Sequence, residues 1–213
     1  MSDARVSKGE ATRQRILDAA QSAILEKGFT ATSIDELIAE CGLTKGGFFY
    51  HFKDKNDLAK ALLRRYIAED ETVYDRIFGQ ARDLVDDPLQ VFLLGLKLLA
   101  DVMGDMPNGH PGCVVAVSCY YERMFDSELK AINTEAALQW RGRFRGMRDD
   151  VGTRYRPREP VDLDELADMV SSVLEGGIVM AKALGDPTSL KRQILTFRAL
   201  VQALFVPLPE SGS

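Results

Sequence analysis

Apolar residues recur at three- and four-residue steps along almost the whole chain, a spacing that fits helix and leaves little place for sheet. From about Glu10 to Lys27 the stripe Ile16, Ala19, Ala20, Ala23 and Ile24 marks a first helix, which Gly28 ends. Ser33 with Glu36 reads as a capping box, each side chain satisfying a free amide, and opens a short helix that buries Ile34, Leu37 and Ile38. Gly42 ends it, Thr44 caps a third helix through about Tyr50, and a fourth begins near Asp54 and passes Val73. Asp87-Pro88 is an N-cap followed by proline at the first helical position, where its missing donor costs nothing; this helix reaches about Gly104.

After the loop DMPNGHPG, the stripe at 113, 117, 120, 121 and 124 reads as helix, although its Val-rich start also suits a strand. A long helix is expected from about Ser127 to Tyr155, and RPREP is a proline-punctuated linker. Asp162 with Glu165 is a second capping box, opening a helix through Leu184. Asp186-Pro187 is read as the cap of a last helix ending before Pro207. With no convincing strand and no internal repeat, the chain is expected to be all-α, with about nine helices.

Bulk properties narrow the function. Hydrophobic residues are 46% and charged residues 28% of 213, an ordinary globular balance. No apolar run approaches the roughly 20 residues that span a bilayer. The polar start, MSDARVSKGEATRQR, lacks the apolar core of a secretion signal. A cytoplasmic location with no membrane partner is expected. The net charge of −5 argues at first against a nucleic-acid partner. Residues 1–65, however, hold 11 basic and 9 acidic side chains, +2 against −7 for the remainder.

The stretch GLTKGGFFYHFKDK, Gly42 to Lys55, carries the functional signal. Two short helices joined by a tight turn through Cys41, Gly42 and Leu43 have the dimensions of a helix-turn-helix. In that geometry the second helix enters the major groove and offers its N-terminal residues to base edges. Gly46 and Gly47 weaken helix propensity but let backbone come close to a phosphate or a base. Phe48 and Phe52 can pack inward. Tyr50, His51 and Lys55 can reach phosphate, the lysine from the first turn of helix four, whose free amides also favour an anion. Lys45 is expected to read bases, and Ser33 and Thr44 to stand at the same face as caps.

Residues 11 to 58 strongly resemble the DNA-binding region of the tetracycline-repressor (TetR) family of bacterial regulators. Arg13, Ile16, Leu17, Ala19 and Ala20 fit its first helix, Gly28-Phe29 its turn, and Thr32 the residue before its second helix. Leu43, Gly46, His51, Phe52, Lys55 and Leu58 complete the match. One departure stands out. The family usually has tyrosine at the position of Phe49, where the hydroxyl touches phosphate; here the hydroxyl moves to Tyr50.

The resemblance implies an all-α homodimer with a helix-turn-helix headpiece and a C-terminal domain that binds a small effector. Expected boundaries are a flexible arm over 1–9, the headpiece over 10–55, the effector and dimerisation domain over 56–206, and a tail over 207–213. The last two helices would form the dimer interface through Leu166, Val170, Leu174, Gly177, Ile194, Phe197, Val201 and Leu204, with Gly176, Gly177 and Ala181 allowing close approach. Two-fold symmetry predicts a near-palindromic double-stranded operator with half-sites about one DNA turn apart. Contacts are expected around Thr32 and from Thr44 to Lys55. Met103, Val117, Tyr120, Tyr121, Met124, Trp140 and Phe144 are candidate cavity residues and Glu175 a candidate polar anchor. Plain core packing is the competing reading of each. With no charge cluster among them, the effector leans toward an apolar or aromatic molecule.

Other signals are weaker. Seven arginines between 141 and 158 do not share one face and are interleaved with acids, which reads as a solvated exterior rather than a second nucleic-acid patch. Cys113 and Cys119 lie about 9 Å apart by helical rise, too far for a disulfide, and the spacing leaves single-thiol chemistry open. His110 and Cys113 are too few for a metal site. No cofactor is expected, and neither a phosphate-cradling glycine loop nor a nucleophile elbow supports an enzyme. The chain therefore reads as an effector-released repressor. An activator or an effector-independent DNA binder is one alternative, and a small-molecule-binding protein with a vestigial headpiece is another.

Overall fold

The computed structural model describes residues 7–209. Residues 1–6 of the expected N-terminal arm and 210–213 of the expected tail lie outside the described residues, and Lys8 and Gly9 already belong to a helix. Nine α-helices are present among the described residues: α1 (Lys8–Ala31), α2 (Ile34–Glu40), α3 (Lys45–His51), α4 (Lys55–Leu84), α5 (Pro88–Gly104), α6 (Val114–Tyr120), α7 (Ser127–Gly152), α8 (Leu163–Leu184) and α9 (Ser189–Leu204). The chain forms two compact units interleaved in sequence. One holds the residues up to Glu69 together with Cys113–Ala136; the other holds Asp70–Gly112 and the residues from Ala137 on. Residues 113–136, which the sequence reading gave to the C-terminal domain, thus pack within the first unit.

In the first unit, α1 kinks at Gly28, whose φ of 84° and ψ of 165° depart from helix and redirect the chain into a last helical piece, Phe29–Ala31. A side chain there would also collide, since a Cβ would stand 2.9 Å from the Tyr121 hydroxyl. Ile16, Leu17, Ala20, Leu37, Phe48, Phe52, Leu58, Leu62 and Leu63 are buried to 2% exposure or less, so α1, α2, α3 and the start of α4 are held by one apolar interior. The segment after α6 joins it: Phe125 meets Phe29 edge-on at 4.4 Å between ring centroids. Lys60 bonds Asp126 at 2.8 Å and Glu128 at 2.6 Å, and Arg64 bonds Glu128 at 2.9 Å. These bonds raise the Lys60 pKa and lower those of both acids.

The expected capping box of α2 is only half made. Ser33 accepts from the Glu36 amide at 3.2 Å, but the Glu36 carboxylate turns away to Lys27. A full positive charge outbids a backbone amide for the carboxylate.

In the second unit, α9 packs against α5 and α8 around Phe78, Leu93, Leu96, Phe144, Val170, Ile194, Phe197 and Val201. Gly177 lets α8 and α9 touch, since a Cβ there would stand 2.6 Å from Leu190 Cδ1 and 3.3 Å from its Cα. Asp87 caps α5 through Gln90 and accepts the Tyr155 hydroxyl at 3.0 Å on its other oxygen. Asp162 caps α8, and Gly185 closes it in the left-handed conformation.

Two sequence expectations change here. The long helix stops at Gly152, and Tyr155–Pro157 forms a strand, β1, antiparallel to β2, Phe205–Pro207. Proline at 157 and 207 hid this pair, because proline argues against strand unless the pairing is very short and at an edge. Asp186-Pro187 does not cap α9. Asp186 instead accepts from the Thr188 amide at 3.0 Å and hydroxyl at 2.6 Å, and the helix begins at Ser189. Arg141, Arg145, Arg154, Arg156 and Arg158 are exposed, as expected of a solvated exterior, and the arginines of α7 also pair with acids: Arg141 grips Asp168 bidentately, Arg145 and Arg148 share Asp164, and Arg143 reaches Glu71 and Asp75.

Candidate nucleic-acid interface

Helix α3 is divided between two environments. Phe48 is fully buried and Phe52, just past its end, almost so; their rings lie 5.9 Å apart. They pin the helix to the headpiece interior. Thr44 caps it, its hydroxyl oxygen accepting from the Gly47 amide at 3.1 Å. The opposite face carries Thr44, Lys45, Gly46, Phe49 and Tyr50 into solvent, with Phe49 49% and Tyr50 82% exposed. Burying Phe48 and Phe52 rigidifies a helix too short to persist alone.

The glycines are not demanded by the chain itself. Neither Gly46 nor Gly47 has positive φ. A Cβ on Gly46 would meet nothing closer than Thr44 Oγ1 at 4.0 Å, and one on Gly47 only ordinary contact, 3.4 Å to the same atom. Two glycines in a seven-residue helix forgo about 2 kcal/mol of propensity relative to alanine. Intrachain packing gives no return for that loss. A partner lying against the helix would.

The other sequence-assigned residues divide. Ser33 is exposed and caps α2. His51 is half-buried, its ring edge-on to Tyr50 at 5.0 Å. Thr32 is not at the surface: it is 1% exposed and its hydroxyl donates to the Gly28 carbonyl at 3.0 Å, locking the α1–α2 turn. Lys55 is likewise turned inward. Its ammonium donates to the Phe29 carbonyl at 2.5 Å and sits 4.4 Å over the Phe29 ring, and burial pushes its pKa down. Without DNA, the ammonium expected to reach phosphate is thus engaged within the chain, between the Phe29 carbonyl and the Phe29 ring.

Sequence reasoning passed over Lys53, exposed in the turn after α3, and Asp35, whose carboxylate lies 3.1 Å from the Lys45 ammonium. Lys53 was visible in the KDK run. Asp35 was not, because its nearness to Lys45 comes from the angle between α2 and α3.

The expected effector residues are divided between the two units. Val117, Tyr120, Tyr121 and Met124 belong to the first unit, and Met103, Trp140, Phe144 and Glu175 to the second. Tyr120 and Met124 are mostly exposed, Tyr121 lies against Gly28, and Phe144 is core at 1% exposure. In the second unit Trp140 packs against the core with its indole N–H buried and unpaired. Two hollows of about 380 and 490 Å³ in that unit have mixed linings, with the charged Arg82 and Asp150 and the apolar Met147 in both, and include none of the expected residues.

The expected dimer residues need correction. Leu166, Val170, Gly177, Ile194, Phe197 and Val201 are all buried within the single chain, and Leu174 and Leu204 pack against the same core. The stripe identified in sequence is the face turned into the protomer. The outer face is a second apolar stripe: Met169, Gly176, Met180 and Leu184 on α8, and Leu200 on α9. Met169, Met180, Leu184 and Leu200 are between 42% and 61% exposed, unusual for side chains of that size.

Among the described residues no helix is long and apolar enough to cross a membrane, and no cluster of three metal-ligating side chains occurs. Comparison with known proteins agrees on the headpiece. The family model for bacterial regulatory proteins of the tetR family matches residues 16–62. The HTH-type transcriptional regulator AcrR of Shigella flexneri is 46% identical over 57 residues, covering 26% of each chain. The HTH-type transcriptional repressor Rv1474c of Mycobacterium tuberculosis is 28% identical over 183 residues, covering 84% of this chain and 87% of that one. A TetR-family regulator structure from Agrobacterium tumefaciens superposes with a TM-score of 0.75 at 16% identity, over 93% of this chain and all of that one. At higher identity the chain spans only about a quarter of its relatives' length; over most of the chain the identity falls to 28% or less.

Proposed function

We propose that this chain, whose residues 16–62 match the model for bacterial regulatory proteins of the tetR family, is a cytoplasmic transcriptional repressor that binds operator DNA as a homodimer. The observation that carries the reading is the two-sided construction of α3. One face is locked into the headpiece by Phe48; the other offers Lys45, Phe49 and Tyr50 beside glycines that nothing inside the chain requires. A helix so thinned can lie deep in the major groove, where base edges are read.

Duplex DNA repeats its groove each turn, so two copies of the chain engage it best through a two-fold axis. The outer stripe of α8 and α9, from Met169 to Leu200, is the surface proposed to make that axis. A small effector bound in the second unit would release the operator by changing the separation of the two reading helices. The unpaired indole N–H of Trp140 supports a ligand bearing a hydrogen-bond acceptor on an otherwise apolar body.

Fluorescence anisotropy with a labelled random duplex at rising salt tests the DNA-binding reading. Affinity should fall steeply and log-linearly with salt as phosphate counterions are recaptured. A flat response would remove the proposal.

A further inference from the structure

Lys45, the first residue of the reading helix, does not stand alone. Its ammonium lies 3.1 Å from a carboxylate oxygen of Asp35, in the first turn of α2, and the two side chains are 73% and 75% exposed. An ion pair so open to water adds little to a fold. An acid on a face turned toward a polyanion also lowers sequence-independent affinity. Its place in the first turn of α2 suits the helix dipole, but phosphate attraction does not account for an acid on this face, nor does the dipole account for its nearness to Lys45.

We propose that Asp35 and Lys45 together read one G·C base pair of the half-site. The Lys45 ammonium donates to guanine O6 and N7, and the Asp35 carboxylate accepts from the cytosine N4 amino group. The inference rests on the DNA-binding reading above and adds to it the identity of a base pair. Across the major groove a G·C pair presents two adjacent acceptors and then a donor, whereas an A·T pair alternates acceptor, donor and acceptor before the thymine methyl.

A cluster of N–H donors held about 3 Å from a carboxylate oxygen complements the first order along its whole length. Against A·T the ammonium keeps one acceptor at a time. In the reversed C·G orientation the carboxylate faces guanine N7, acceptor against acceptor, and the ammonium meets the cytosine amino donor. The acid therefore supplies the repulsive half of the discrimination, which a lysine alone lacks. Gly46, next to Lys45 and free of neighbours where a Cβ would stand, allows the close approach that the short Asp35 side chain needs. Glu36, the other acid in the first turn of α2, is committed to Lys27.

Selection from randomised duplexes at one salt concentration, with the wild type, Asp35→Ala and Lys45→Gln, tests this. Both exchanges are at exposed positions, and circular dichroism checks that the variants fold. The wild type should enrich half-sites with one fixed G·C pair, preferred over other pairs about tenfold. Asp35→Ala should bind random duplex at least as tightly yet lose most of the preference at that pair alone. Lys45→Gln should lose the preference and weaken binding. Replacing the selected guanine with 7-deazaguanine should weaken the wild type severalfold and leave Lys45→Gln unaffected.

Undiminished preference in Asp35→Ala, an A·T pair fixed at that place, or indifference to 7-deazaguanine would each overturn the inference while the DNA-binding reading stands. Enrichment of no duplex by the wild type would overturn both.

Discussion

The Lys55 ammonium donates to the Phe29 carbonyl at 2.5 Å and rests over the Phe29 ring, joining the first turn of α4 to the kink of α1. Lys55→Ala should therefore lower headpiece stability by about 1–2 kcal/mol, the worth of a charged hydrogen bond and a shielded cation–π contact. Denaturant titration would measure it. Because the ammonium faces inward, the slope of log affinity against log salt should stay that of the wild type. A slope smaller by about one would instead place Lys55 on phosphate.

Gly46→Ala separates folding from binding. The backbone is already helical and the space is empty, so the added methyl should stabilise α3, by up to about 1 kcal/mol. Duplex affinity should nonetheless fall. A variant that is more stable and binds equally well would mean that the groove does not come near this residue.

The headpiece was legible because its signals are local. Caps at Ser33 and Thr44, the stop at Gly28, and the alternation of buried Phe48 and Phe52 with exposed Phe49 and Tyr50 all depend on residues within one or two turns. The inward bonds of Thr32 and Lys55 were not legible, for the opposite reason. Their partners, the carbonyls of Gly28 and Phe29, are freed only by the kink in α1, which periodicity does not describe. The α8–α9 pair was misread because α8 is apolar on two faces, and the moment of a stripe does not say whether it meets its own chain or another. Apolar patterning cannot distinguish Leu166 from Met169; burial can.

That distinction yields a dimer test. Leu200→Arg, on the outer face, should shift sedimentation toward monomer while leaving helicity unchanged. Phe197→Ala, three residues earlier but 3% exposed, should cost about 3–5 kcal/mol of protomer stability. Leu200→Arg sedimenting like the wild type would exclude the outer stripe as the interface.

Acid should act through His110. Its ring accepts the Gly112 amide at 3.2 Å, and Lys182 donates to the neighbouring Pro111 carbonyl at 2.5 Å. Burial, with the Lys182 charge adding to it, lowers its pKa from 6.5 to about 4. The native state thus holds the ring neutral while the unfolded chain takes up a proton. Its contribution to stability is complete above pH 6.5 and is lost as pH falls toward 4, by at most about 3 kcal/mol. Unfolding free energies of the wild type and His110→Asn should converge across that window. Parallel curves would count against a buried neutral ring.

Because Phe125 sits on Phe29, and Lys60 and Arg64 are anchored on Glu128, the DNA-reading part of this protein cannot be lifted out as its first 69 residues. Such a fragment would bare the ring of Phe29 to water and strand two cations without their shared counter-charge. Transplanting its sequence preference onto another regulator would have to carry the distant 113–136 stretch along, as a graft of two pieces rather than one.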